Sequence, residues 1–198
     1  MIAVEQTGTN WFVDKEGYIS KIEPSLLGID RLFAANDKVL EIHTGILEKY
    51  REKSVKITDE IGIERIINGH TITANNKETA TQLYDFLKVN TDVEWVFITY
   101  NGCCKNILTT SHSNNSEGVF IPILKSIFNK GYNLNKLEHN HPVTSTNTSD
   151  SGKIKQIKPG ASLNDMRVKW WAARNYPNLS SSTSWRVYDT KMNNTYNY

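Results

Sequence analysis

His139-Asn140-His141-Pro142, followed later by Ser162-Leu163-Asn164-Asp165, is the stretch on which the reading of this chain turns. Side chains on a strand alternate between its two faces, so His139 and His141 project to the same side. Both imidazoles then reach a single metal ion. Pro142 lacks a backbone donor and suits a strand end, where the chain turns away from the sheet. A carboxylate arriving on the following helix supplies a third ligand and leaves the fourth position of a tetrahedral zinc open for water. That layout marks a hydrolytic zinc site and not a closed structural one.

The surrounding pattern supplies the frame for these residues. Spacing predicts a helix over 77–89, with Ala80, Leu83, Tyr84 and Leu87 on one face. Val93 to Thr99 is apolar and β-branched on both faces, which marks a central strand covered on both sides. Ile107 to Thr110 is expected to return beside it, with Asn101-Gly102 at the turn. Phe120, Ile121, Leu124, Ile127 and Phe128 describe an amphipathic helix ending at a C-cap glycine, Gly131. Tyr132 to His141 is then the strand that carries the histidines. Residues 143–161, with Pro159-Gly160, have the composition of a long surface loop, a candidate flap beside the site. A helix is expected from Ser162, with Leu163, Met166, Trp170 and Ala173 on one face. A strand over Ser184 to Asp189 follows, and the Asn- and Tyr-rich tail adds an edge. This order of elements fits an α/β sandwich.

Towards the N-terminus the pattern is weaker. Trp11 to Ile22 reads as a β-hairpin, with Gly17 supplying the turn conformation. A helical stretch is expected near Glu41 to Lys53, and Asn68-Gly69 is a turn signal within the weak alternation of 54–75. No internal repeat is visible. The expected organisation is an extension of hairpin and helix over 1–75 that packs on a second domain over 76–198.

Composition limits the classes of function. The chain has 198 residues, 38% of them hydrophobic and 10% aromatic, enough for one sizeable core. No apolar run approaches the roughly 18 to 20 residues that span a bilayer, so no membrane partner is expected. Met-Ile-Ala-Val-Glu-Gln at the start lacks the charged and apolar regions of a secretory signal, so export is expected to depend on other machinery or a longer parent chain. Residues 1–75 hold 9 Lys/Arg against 12 Asp/Glu, a net −3, and residues 76–198 hold 14 against 9, a net +5. Lys153, Lys155, Lys158, Arg167, Lys169 and Arg174 concentrate the excess near Asp165. They form either a solvated face and basic loop or a patch that draws an acidic substrate towards a metal. Cys103 and Cys104 are adjacent, so no disulfide framework is expected; together with the histidines they offer a different zinc site, but without Cys-x-x-Cys spacing.

At these motifs the chain resembles the JAB/MPN (JAMM) zinc metalloprotease family, whose signature is an upstream Glu, then His-x-His-Pro, then Ser-x-x-Asp. The His-Asn-His-Pro form is similar to that of the RadC-type branch. The resemblance implies His139, His141 and Asp165 as ligands of Zn2+, Ser162 as the oxyanion donor and Glu94 as the general base. It also implies a JAB/MPN-like (cytidine-deaminase-like) mixed sheet flanked by helices, and hydrolysis of an amide bond in a protein or peptide. The interval between His141 and Ser162 is longer than usual for the family. Trp11 to Ile22, followed by Ile29-Asp30-Arg31-Leu32-Phe33-Ala34, looks like the lead-in to JAB-like toxin domains that end large polymorphic toxins, including Rhs-type and type VI-delivered effectors. That similarity implies delivery into a competing bacterium's cytoplasm and a cognate immunity protein.

Other readings stay open beside these. Ser162 and Asp165 also fit a helix capping box. Asp150 competes as third ligand, being nearer the histidines in sequence. Glu94, after Thr91-Asp92-Val93, either enters an apolar environment that raises its pKa or points to solvent from a strand end. Glu138 should face away from the histidines, and Trp170 and Trp171 read as core and groove wall. His43, His70 and His112 show no partner pattern. His-Asn-His also invites comparison with HNH nucleases, but here the letters are contiguous and precede Pro, so nucleic acid is not the expected partner. A metal-free binding module with the same fold is the remaining alternative.

Overall fold

The computed structural model describes residues 7–25, 27–58, 64–101, 106–113, 118–142 and 163–198. Two sheets and a few helices make a mixed α/β architecture. The smaller sheet has the order β2-β1-β3-β4, from β1 (Gly8–Val13), β2 (Ile19–Ser25), β3 (Asp30–Ala34) and β4 (Val39–Ile42). The hairpin read from Trp11 to Ile22 is present: β1 and β2 pair antiparallel, and Gly17 turns at a φ of 79°.

The larger sheet has seven strands: β5 (Arg51–Thr58), β6 (Glu64–Ala74), β7 (Val96–Tyr100), β8 (Asn106–Thr110), β9 (Leu134–His141), β10 (Ser184–Asp189) and β11 (Asn194–Asn197). Their order is β11-β10-β9-β7-β8-β6-β5. The β9–β10 pair is parallel and the other pairs are antiparallel. The expected boundary between residues 75 and 76 falls between β6 and α1 (Lys77–Asn90), while β5 and β6 share this sheet with the later strands.

Helices cover both faces of the central strands. Ala80, Leu83, Tyr84 and Leu87 of α1 pack with Phe97 and with Trp11, Val13 and Leu32 of the smaller sheet. On the other face, Val96, Ile98 and Tyr100 meet α2 (Phe120–Asn129) and α3 (Leu163–Asn175). A short α4 (Pro177–Ser180) follows. All five side chains of β7 are therefore buried, as a continuous apolar strand requires. Asn76 caps α1 by accepting from the Thr79 amide, and Gly131 ends α2 at a φ of 75°. Among the described residues no helix is long and apolar enough to cross a membrane.

Three local expectations are corrected. The stretch Glu41 to Lys53 is not helical: it holds the end of β4, a 3-10 turn over Leu47–Lys49 and the start of β5. Gly45, at a φ of 84°, breaks any helix there. Asn68-Gly69 is no turn but lies inside β6, where a Cβ on Gly69 would sit 2.2 Å from the Thr110 carbonyl oxygen. This glycine permits close approach of two backbones. On α3 the buried positions include Met166 and Ala172, whereas Trp170 is 52% exposed and Trp171 only partly buried. The expected loop over 143–161 and the turn residue Gly102 lie outside the described residues.

Candidate metal centre

Strand alternation brings His139 and His141 to the α2/α3 face of β9, and Glu138 and Asn140 to the other. The two Nε2 atoms stand 3.1 Å apart. Asp165, in the first turn of α3, sends Oδ1 to 3.1 Å from His139 Nε2 and Oδ2 to 3.6 Å from His141 Nε2. Glu94 approaches from the segment just before β7, with Oε1 3.7 Å from His139 Nε2. One ligand atom each from Glu94, His139 and His141 falls within 4.8 Å of the others.

Two imidazoles and two carboxylates converging in this way suit a zinc ion, which takes nitrogen and oxygen ligands at about 2.0–2.2 Å in a tetrahedral set. The residues present therefore fit the metal. Asp165 contacts both histidines, and a Glu94 carboxylate oxygen also falls within 4.8 Å of a ring nitrogen of each. The two carboxylates thus offer the histidines a third ligand and one further group that can carry a proton.

Burial sets the titration of this cluster. Glu94 is 8% exposed, and burial pushes its carboxyl up to about 7; the His139 charge opposes the rise and Asp165 adds to it. For His139, burial pulls the pKa down, but Asp165 and Glu94 outweigh it and raise the imidazole to about 9. His141 falls to about 4, through burial and then the charge of His139. Without a metal, His139 is therefore the more basic of the two imidazoles.

The backbone around Glu94 is fixed from the β8 side. Its amide donates to Ser113 O at 2.7 Å, and Thr110 Oγ1 donates to its carbonyl at 2.8 Å. The loop after β8 is held in turn by two histidines with no evident sequence pattern. His112 Nδ1 lies 2.7 Å from the Glu16 carbonyl, which can only accept, so this nitrogen carries the proton. His70 Nδ1 then donates to His112 Nε2 at 2.7 Å, while Tyr18 stacks on His112 and Tyr50 on His70. Asp92 adds a bond from its amide to Lys15 O, tying the β1–β2 turn to the same segment.

A cavity of about 20 Å³ adjoins the cluster, lined by Glu94, His139 and Asp165 together with Val96, Leu137 and Val168. That volume suits one water molecule. Tyr198 also lines it, with its ring edge-on to His139 at 6.1 Å between centroids. Burial holds its phenol well above the usual range. Sequence reasoning missed Tyr198 because a tyrosine in a polar tail gives no sign of folding back onto the histidines.

The remaining candidates separate clearly. Glu138 faces away from the histidines and lies 3.3 Å from Lys136, 3.4 Å from Arg186 and 3.9 Å from Lys88. His43 is exposed. Ser162, Asp150, Cys103, Cys104, Lys153, Lys155 and Lys158 lie outside the described residues.

The profile of the JAB-like toxin 1 family matches residues 72–170, half of the chain. The chain belongs to this family. For a JAB-like toxin domain, the match runs from β6 into α3 and so contains Glu94, His139, His141, Ser162 and Asp165. The smaller sheet and β10–β11 lie outside the matched range. No curated protein and no solved structure gives a significant match.

Proposed function

We propose that this JAB-like toxin domain is a zinc-dependent peptidase or isopeptidase of the JAMM type, with a JAB/MPN-like (cytidine-deaminase-like) sheet. The observation that carries the reading is the buried carboxyl of Glu94, 3.7 Å from His139 and on the same small cavity as Asp165. A zinc ion held by His139, His141 and Asp165 would make water more acidic and polarise the scissile carbonyl. Glu94 takes the proton of the attacking water. It then delivers that proton to the amine nitrogen as the amide carbon–nitrogen bond breaks. Burial raises the Glu94 carboxyl to about 7 in the metal-free site, and a bound cation would draw it back towards the ionised form that accepts the water proton. Ser162, which precedes α3 in sequence, is the proposed donor to the oxyanion.

The substrate is proposed to be a protein or peptide inside a competing bacterium. Delivery by a secretion system or parent toxin and neutralisation by a cognate immunity protein complete the reading, and membership of a toxin family supports it. The test is production in the cytoplasm of a susceptible bacterium. Growth should slow, Glu94→Gln should relieve the effect, and a cellular protein should be cleaved only in the wild-type culture. Degraded DNA or RNA with an intact proteome would favour a nuclease. Toxicity that survives both Glu94→Gln and His139→Ala would favour a binding module.

A further inference from the structure

Asn140 separates the two histidines in sequence, and its own side chain leaves the opposite face of β9. It is fully buried. There it meets the segment that links α1 to β7, which carries Glu94. Asn140 Oδ1 accepts from the Trp95 amide at 2.7 Å, and the Asn140 amide donates to Trp95 O at 3.2 Å. Asn140 Nδ2 donates to Val93 O at 3.1 Å and lies 3.5 Å from Lys88 O at the end of α1. The two residues flanking Glu94 are therefore tied to one side chain on the histidine strand.

We propose that Asn140 is a positioning residue that fixes Glu94 opposite His139 and His141. The triplet then works on both faces of one strand: its histidines present the metal site, and its asparagine holds the proton-handling residue in register with that site. This rests on the reading of Glu94 as the proton-transfer group.

The chemistry of the side chain explains the choice of residue. Trp95 N–H needs an acceptor and Val93 C=O a donor, and a primary amide offers both at the end of a short stem. A serine or threonine hydroxyl has only one proton and sits closer to its own backbone. Aspartate at this buried position would bring a charge beside the backbone carbonyls of Val93 and Lys88. Leaving Val93 O or Trp95 N without a partner in this dry setting is costly, so the segment would shift to find one.

The experiment compares the full-length wild type with Asn140→Ala by amide hydrogen exchange at Glu94 and Trp95. The Trp95 amide, which donates to Asn140 Oδ1 in the wild type, should exchange faster in the variant, while the circular dichroism spectrum and one bound zinc per chain are retained. Cleavage of the protein found cut only in the wild-type culture should show a kcat lower by about 10²-fold with KM unchanged. Asn140→Ala added to Glu94→Gln should cost nothing further, because a residue that acts through Glu94 has no effect once that carboxyl is gone. Unchanged exchange at Trp95 in a folded Asn140→Ala protein overturns the proposal. So does a kcat loss that persists in the Glu94→Gln background, which would make Asn140 a support of the histidines alone. If the alanine variant does not fold, Asn140→Thr takes its place; it is neutral, suited to a strand and unable to bridge both backbone groups, and the same outcomes decide there. A wild-type protein that binds no zinc or cleaves no protein would sink the peptidase reading, while the exchange of the Trp95 amide would still decide the role of Asn140.

Discussion

Asp165 Oδ1 lies 3.1 Å from Nε2 of His139, and its second oxygen lies 3.6 Å from Nε2 of His141. One carboxylate thus faces both imidazoles, and a metal seated between the rings would meet it. Asp165→Asn keeps the shape but loses the charge. Removal of even an outer partner of a metal ligand typically weakens binding about 10–100-fold, so this variant should lose at least that much zinc affinity in competition with a chromophoric chelator. His139→Ala/His141→Ala should abolish the site. Full zinc occupancy in the double variant would disprove the assignment, and wild-type affinity in Asp165→Asn would send the search to Asp150.

Glu94→Gln should separate binding from chemistry. Glutamine fits the same buried space and can still hydrogen-bond, but it cannot accept the water proton. Zinc content and thermal stability should remain close to wild type. Proteolysis should fall by on the order of 10² to 10⁴, the usual contribution of a positioned general base. Near-normal turnover of the cleaved cellular protein would move the base elsewhere.

Zinc binding should depend on pH in a defined direction. Without metal, His139 titrates near 9 and is protonated at neutral pH, while His141 near 4 is already neutral. A ligating nitrogen must give up its proton, so zinc displaces one from His139. Apparent affinity should therefore rise with pH from about 7 to 9, by roughly tenfold per unit, and level off above that. Below about 7, where Glu94 is protonated, the approach of a cation should release a second proton and steepen the dependence. Titration calorimetry in two buffers of different ionisation enthalpy counts these protons. Affinity that stays flat between pH 7 and 9 would show that His139 does not ligate.

Much of the central frame was legible because its cause is local. β7 is apolar on both faces, α1 repeats at helical intervals, and the alternation of β9 alone places His139 and His141 together. The proximity of Asp165 and Glu94 was reached through motif resemblance, since nothing in spacing says where α3 will dock. Asn140 and Tyr198 were not readable as site neighbours. Their positions depend on which strands lie side by side, a long-range property of the sheet. The stretch Glu41 to Lys53 misled because charged residues at mixed spacing suit a helix face and an edge strand equally. Only pairing of β5 with β6 separates the two.

Gly69 offers a test of the fold that is independent of the metal. Asn68-Gly69 carries the composition of a turn, yet Gly69 sits within β6 where β8 passes close. A Cβ there would lie 2.2 Å from Thr110 O, 2.8 Å from Val119 Cγ2 and 3.0 Å from Ser111 Cα. Two of these three are backbone atoms in or beside the strand, so relief requires the β6–β8 pair to move. Overpacking of this kind typically costs about 1–3 kcal/mol. Gly69→Ala should lower the melting temperature by roughly 2–4 °C for each kcal/mol lost at this chain length. The strain should also reach the site, because Thr110 Oγ1 donates to the Glu94 carbonyl. Proteolysis should therefore drop more than zinc binding, since the histidines lie on β9 and keep their own pairing with β10. A melting temperature equal to wild type would mean that the close approach of β6 to β8 at Gly69 is wrong.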